Sequence, residues 1–253
     1  MCRKTRQMLR SASYHNKNIQ HKNKYMQAKA KKEAKIFNAD TEYAKKVLDR
    51  LIERYGEQHT ALIYKNPMQL FVAALLSPQN SDIQVNKVTK KLFDKYKSFE
   101  DIANAKITKL EKDLSSLNFY KTKARHLKES AKIMVKRYNG NIPKSINELI
   151  VLPGVGRKIA NVVLNELYNI NEGIAVDTHC ITVANRLGFA KSKKGEVVEK
   201  ELMKKIPKEY WGFVSNLFIA LGRDTCKARN KECYRCVLKD ICPSSTEKEK
   251  KKD

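Results

Sequence analysis

Four cysteines near the end of the chain, Cys226, Cys233, Cys236 and Cys242, follow a C-x6-C-x2-C-x5-C pattern within seventeen residues. Four thiolates this close suit a metal centre, because a tetrahedral zinc and an iron–sulfur cluster both take four cysteine sulfurs. The competing use is two disulfides. These belong to oxidising compartments, and the first residues show no apolar signal sequence. Spacing alone leaves zinc and iron–sulfur both open. Cys2 and Cys180 stand outside the pattern.

A second group of reactive residues lies upstream. In Leu152-Pro153-Gly154-Val155-Gly156-Arg157-Lys158, two glycines allow a tight hairpin with φ > 0, and a helix begins where it ends. The free N–H groups of that helix start are a ready site for a phosphate oxygen, and Leu152 and Val155 would pin the hairpin from below. Lys158 falls in the first turn, where its charge opposes the helix dipole. Partial burial there would favour the neutral amine, a nucleophile able to form a Schiff base. Contacting a phosphate is an equally open use for Lys158. Asp177 directly precedes the next helical pattern. It reads as an N-cap, and the same carboxylate could also face Lys158 and stabilise a developing cation. His179 reads as structural.

The elements that must position these residues are helices. Asp40 precedes a pattern with Val47, Leu48, Leu51, Ile52 and Tyr55 on one face, closed by Gly56. Asn66-Pro67 opens a helix containing the apolar run Phe71–Leu76. A loop follows at 77–82, with Asp82 predicted to cap the next helix. Ser98 with Asp101, Thr108 with Glu111 and Ser145 with Glu148 resemble capping boxes. Further helices are predicted over Lys121–Tyr138, Arg157–Tyr168, Thr178–Leu187, Glu196–Ile206 and Tyr210–Leu221. No stretch alternates with period two, so the class is all-α, with about ten helices.

Charge names the partner. The 253 residues hold 52 Lys and Arg against 27 Asp and Glu, a formal net charge of +25. Such a surplus points to a polyanion, nucleic acid first. No apolar run reaches the length of a membrane span, so no membrane association is expected. Residues 1–38 carry eleven basic residues and one acid, Glu33, and read as a disordered basic extension. Residues 244–253 read as a loose polar tail.

The hairpin Leu152–Lys158, the string Val176-Asp177-Thr178-His179 and the four-cysteine spacing, in that order, resemble endonuclease III. That family comprises the helix–hairpin–helix base-excision DNA glycosylases with a [4Fe–4S] cluster. The resemblance runs from about residue 40 to 243. It implies a two-domain glycosylase fold: a six-helix domain at 61–172, and a cluster domain from 39–60 plus 173–243. It implies iron–sulfur rather than zinc at Cys226, Cys233, Cys236 and Cys242. It also implies Lys158 as the nucleophile at the sugar and Asp177 as its catalytic carboxylate. The expected reaction removes oxidised pyrimidines from damaged duplex DNA and nicks the strand by β-elimination. By the same resemblance Gln79 fills the gap left by the flipped base and Phe119 wedges the stack. The family usually has alanine where Pro78 and Asn80 stand, and glycine where Asn118 stands. Leu152, Gly154, Val155, Gly156 and Arg157 are expected at the DNA backbone. Two other readings are a monofunctional mismatch glycosylase and a non-catalytic iron–sulfur DNA sensor. A monomer is expected, located in the cytoplasm or nucleoid of a prokaryote, or in the nucleus or mitochondrion of a eukaryote.

Overall fold

The run Phe71–Leu76 is apolar on every face, and a helix of that kind is stable only where neighbours surround it. The computed structural model describes residues 40–247, and in it this run becomes the centre of one of two hydrophobic cores. The basic extension 1–38 and the last part of the tail lie outside the described residues. In chain order the helices are α1 (residues 40–55), α2 (Pro67–Leu76), α3 (Asp82–Lys95), α4 (Phe99–Asn104), α5 (Ile107–Leu114) and α6 (Tyr120–Tyr138). They continue as α7 (Ile146–Leu149), α8 (Arg157–Tyr168), α9 (Thr178–Arg186), α10 (Gly195–Lys205) and α11 (Trp211–Asp224). Short 3-10 turns occur at Lys208–Tyr210 and Cys233–Arg235. The described residues contain no strand.

The first core draws on α2 to α8 and the second on α1, α9, α10 and α11. The single-turn α7 makes seven helical segments around the first core, against the six expected. The second core is assembled from the two ends of the described chain. Val47, Leu48 and Leu51 of α1 meet Phe189 and Phe218, whose rings stack at 6.0 Å. Polar contacts fasten the same pieces: Tyr43 donates to Leu187 O at 3.1 Å, and Tyr55 to Asp224 at 2.9 Å. Burial, then the hydrogen bond to Asp224, pushes the Tyr55 phenol up to about 12.

Most helix starts follow the sequence signals. Asn66 accepts from Gln69 N at 3.0 Å, and Ser98 and Asp101 form the reciprocal box. Two expected caps are corrected. Ser81, not Asp82, caps α3, accepting from Gln84 N at 3.2 Å. That leaves the Asp82 carboxylate free to pair with Arg223 of α11 at 2.9 Å. Thr108 and Glu111 form no box, because α5 starts earlier, with Lys106 at the cap position and no side-chain bond. Burying Leu110 and Leu114 sets that helix's phase, and a start at Thr108 would forfeit its first turn. Ser145 does cap α7, but its hydroxyl also donates to Glu148 at 2.9 Å, in place of a carboxylate bond back to the cap.

Candidate active site

The chain crosses between the cores at residues 56–61 and 169–175, and a cavity of about 250 Å³ opens beside both crossings. Lys158 lines it from the start of α8 and Asp177 from the start of α9, so the two cores each contribute one reactive residue. Asp177 is the N-cap, its Oδ1 accepting from Cys180 N at 2.8 Å. The carboxylate is thereby fixed, and the capping and cavity-facing readings hold together. Lys158 is exposed, not partly buried as expected, because it stands at the open rim where α8 begins. Beneath the pair Cys180 is wholly buried. Burial, and then the Asp177 charge, pushes its thiol well above its ordinary value, opposed in part by Lys158. His179 approaches the α11 backbone at Gly222, where an added Cβ would lie 3.3 Å from its Nδ1, in keeping with a structural role.

The hairpin forms as drawn, with one correction. Leu152 and Val155 are buried, and Ser130 Oγ donates to Pro153 O at 2.9 Å. Only Gly154 has positive φ, at 79°, and a Cβ there would lie 2.7 Å from His126 Nδ1. Gly156 has φ −95° and open space around it, because it is the extended cap of α8 rather than a turn residue. Among the described residues nothing lies within 4 Å of a Cβ added at 156. Arg157, expected at the DNA, gives its fork to Glu199 of α10 with two bonds of 2.8 Å. Glu199 is 3 % exposed, and a carboxylate buried that deeply needs a cation. Asn161 adds a third bond to it at 2.9 Å.

Gln79 and Phe119 lie on neighbouring loops, and both adopt the left-handed region, at φ 59° and 57°. Asn118, where the family usually has glycine, is not among the left-handed residues. Asn118 instead holds the two loops together, its N–H donating to Asn80 Oδ1 at 2.9 Å and its side chain to Gln79 O at 2.6 Å. Phe119 is 64 % exposed. Lys123, 6 % exposed, reaches under the loop and donates to Pro78 O at 2.7 Å. Burial lowers its ammonium pKa to about 8. Sequence reasoning missed this residue, since a lysine on a helix ordinarily reads as solvated.

The four cysteines line one small apolar cavity together with Leu187, Leu221 and Leu238. Burial, and then the neighbouring sulfurs, raises Cys236 and Cys242 above the ordinary thiol value, so bare thiolates are disfavoured there. Thr225 is buried at the same cavity. Arg186 clamps the loop, donating to Cys226 O at 2.9 Å, Cys226 Sγ at 3.3 Å and Ala228 O at 2.8 Å. It is a second residue that only the folded chain identifies.

Residues 72–208 match the family described as HhH-GPD superfamily base excision DNA repair protein. Over 205 residues the chain is 39% identical to endonuclease III of Bacillus subtilis (strain 168), covering 81% of this chain and 93% of that one. The chain belongs to the endonuclease III family. A solved non-covalent endonuclease III–DNA complex superposes with a TM-score of 0.77 at 38% identity, covering 83% of this chain and 99% of that chain. A trapped endonuclease III–DNA covalent intermediate superposes at 0.75 with 39% identity, covering 80% and 95%. The fold is thus the two-core helix–hairpin–helix glycosylase fold, and this family member is a DNA-binding glycosylase of base excision repair.

Proposed function

We propose that the chain is a bifunctional glycosylase and lyase acting on oxidised pyrimidines in duplex DNA. The observation that carries this reading is the meeting of Lys158 and Asp177, from opposite cores, in one cavity between them. The Lys158 amine, as the free base, attacks the sugar C1′ of a flipped nucleotide. The C1′–N bond breaks and its electron pair leaves with the base, which takes up a proton. The fixed Asp177 carboxylate faces the positive charge that develops on the sugar. The C1′–O4′ bond then breaks, O4′ taking up the proton that the lysine nitrogen gives up, and the ring-opened iminium remains; loss of its C2′ proton expels the 3′ phosphate and nicks the strand. Lys158 at an open rim suits this chemistry, because the sugar must reach Nζ. The polar lining of Gln58, Ser77, Asp82, Asn216 and Arg223 suits the hydrogen-bonding edge of a pyrimidine.

The four-cysteine cavity fits a [4Fe–4S] cluster. Its donors are cysteine sulfurs, the surroundings disfavour uncompensated thiolates, and Arg186 already directs an N–H at one sulfur. Bound there, the cluster would cross-link the loop from Cys226 to Cys242 to the second core. Residues 39–60 with 173–243, and 61–172, serve as the two domains of this reading.

Borohydride trapping on a duplex with a single thymine glycol tests the mechanism. The wild type should form a covalent DNA adduct, and Lys158→Gln should form none while still binding. Trapping that persists in the variant would assign the chemistry to another amine. Base release by the wild type without trapping would leave a monofunctional enzyme.

A further inference from the structure

A second cavity, about 370 Å³, lies between α3 and α5. Lys87, Lys91 and Lys95 line it from α3 and Lys112 from α5, all four exposed. The three α3 lysines recur every fourth residue, which places them on one stripe about 6 Å apart along the helix axis. The cavity has a single carboxylate, Asp113, which is already occupied by Lys95 and by the Tyr96 hydroxyl at 3.0 Å. Among the described residues no carboxylate lies within ion-pair distance of Lys87, Lys91 or Lys112. Three cations sharing a groove without counterions repel one another, a cost that an anion from outside removes.

The groove's position identifies that anion. Gln84 and Ser116 line its upper end and are joined by a hydrogen bond of 3.2 Å. Gln84 belongs to the first turn of α3, and Ser116 is followed by Asn118 and Phe119, so the groove opens directly off the two braced loops. Asp82 faces the Lys158 cavity, whereas Gln84, two residues on, faces the groove. Residues two apart point to different sides of a helix, so cavity and groove flank the loops on opposite sides. Because the cavity takes the flipped nucleotide, the groove lies away from the damaged strand.

We propose that the α3–α5 groove is a second phosphate-binding site, which takes the backbone of the strand opposite the lesion. This rests on the proposed function in assuming that the Lys158 cavity takes the flipped nucleotide and that the Gln79 and Phe119 loops enter the duplex. Phosphate contacts release counterions, steepening log K against log salt by about 0.9 for each phosphate neutralised. They carry no sequence information, so the groove adds affinity and register, not lesion choice.

The test uses the full chain and a duplex with one tetrahydrofuran abasic analogue, with binding followed by fluorescence anisotropy across a salt series. Lys87→Gln, Lys91→Gln and Lys112→Gln combined should flatten the slope by about 2.7 if each lysine neutralises one phosphate. The charge-matched control Lys65→Gln, Lys90→Gln and Lys97→Gln, on residues that line a different cavity, should change it much less. Methylphosphonates in the complementary strand should flatten the wild-type slope and add little to the groove variant. The same substitutions in the damaged strand should add fully. An unchanged slope, or an equal fall in the control, would overturn the proposal. So would non-additivity confined to the damaged strand, or loss of slope traced to an acidic protein competing for the groove. Single-turnover nicking of a thymine glycol duplex at saturating enzyme should survive in the groove variant. Absence of nicking in the wild type would instead sink the proposed lyase step, since the groove variants are compared by binding alone.

Discussion

Two glycines of one hairpin should respond to alanine in opposite ways. Gly154 sits at φ 79°, and an added Cβ would lie 2.7 Å from His126 Nδ1 and 3.0 Å from its Cβ. The left-handed conformation costs a non-glycine residue about 1–2 kcal/mol. The imidazole must also move, and its Cβ is not the free end of a flexible chain. Restricting the unfolded chain returns roughly 0.4–1 kcal/mol. The net expectation for Gly154→Ala is a loss of about 2 kcal/mol. Gly156 has φ −95° and nothing within 4 Å of a built Cβ, so alanine there should leave stability within about 0.5 kcal/mol. Binding should reverse the order, because the Gly156 N–H belongs to the helix start expected to meet a phosphate, where a methyl group would block close approach. Thermal and denaturant unfolding measure the first effect. Anisotropy with an undamaged duplex, at a temperature where both variants are folded, measures the second. Gly156→Ala should weaken binding several-fold on every sequence alike. The reasoning is wrong if Gly156→Ala unfolds as easily as Gly154→Ala, or if it changes only lesion preference.

Asp177→Asn should retain the α9 cap, since asparagine caps as well as aspartate, yet lose activity by on the order of 10²-fold. Unchanged turnover together with unchanged stability would reduce Asp177 to a cap. Lys123 loses its proton at about 8 in the folded chain but only at about 10.4 when unfolded. Between those values the unfolded chain holds the extra proton, so stability should rise with pH, by roughly 2 kcal/mol from pH 7.5 to 9.5. Lys123→Met should flatten that rise, and identical pH slopes for the two proteins would refute the buried charge. The purified protein should be yellow-brown, and Cys233→Ala should lose both the colour and the order of the loop to Cys242. Cys180→Ala should keep the colour, and a colourless active wild type holding one zinc would refute the cluster.

Much of this protein was legible in the sequence because its signals are local. Helical periodicity, the Asn66-Pro67 start and the Asn139-Gly140 stop depend on neighbours within a turn or two, and the helices followed them closely. The hairpin, the Lys158 and Asp177 positions and the four-cysteine spacing are likewise short strings; residue type and separation left the metal and the use of Lys158 open, and the resemblance to endonuclease III supplied the expected roles. Tertiary structure decided whatever depends on partners far along the chain. Arg157 meets Glu199 across 42 residues, and Arg50 meets Asp240 across 190. Asn118 steadies the Gln79 loop from 39 residues away, and Lys123 is buried by a loop 45 residues before it. Periodicity marks which residues face inward but not what they meet there. A lysine whose helical position alone suggests solvation is therefore a buried brace, and Arg157, expected at the DNA backbone, is also the counterion of a buried carboxylate. Gly156 shows the converse limit. A glycine in a turn-like string suggests positive φ, but only the path of the chain into α8 settles that its backbone is ordinary and the space beside it open.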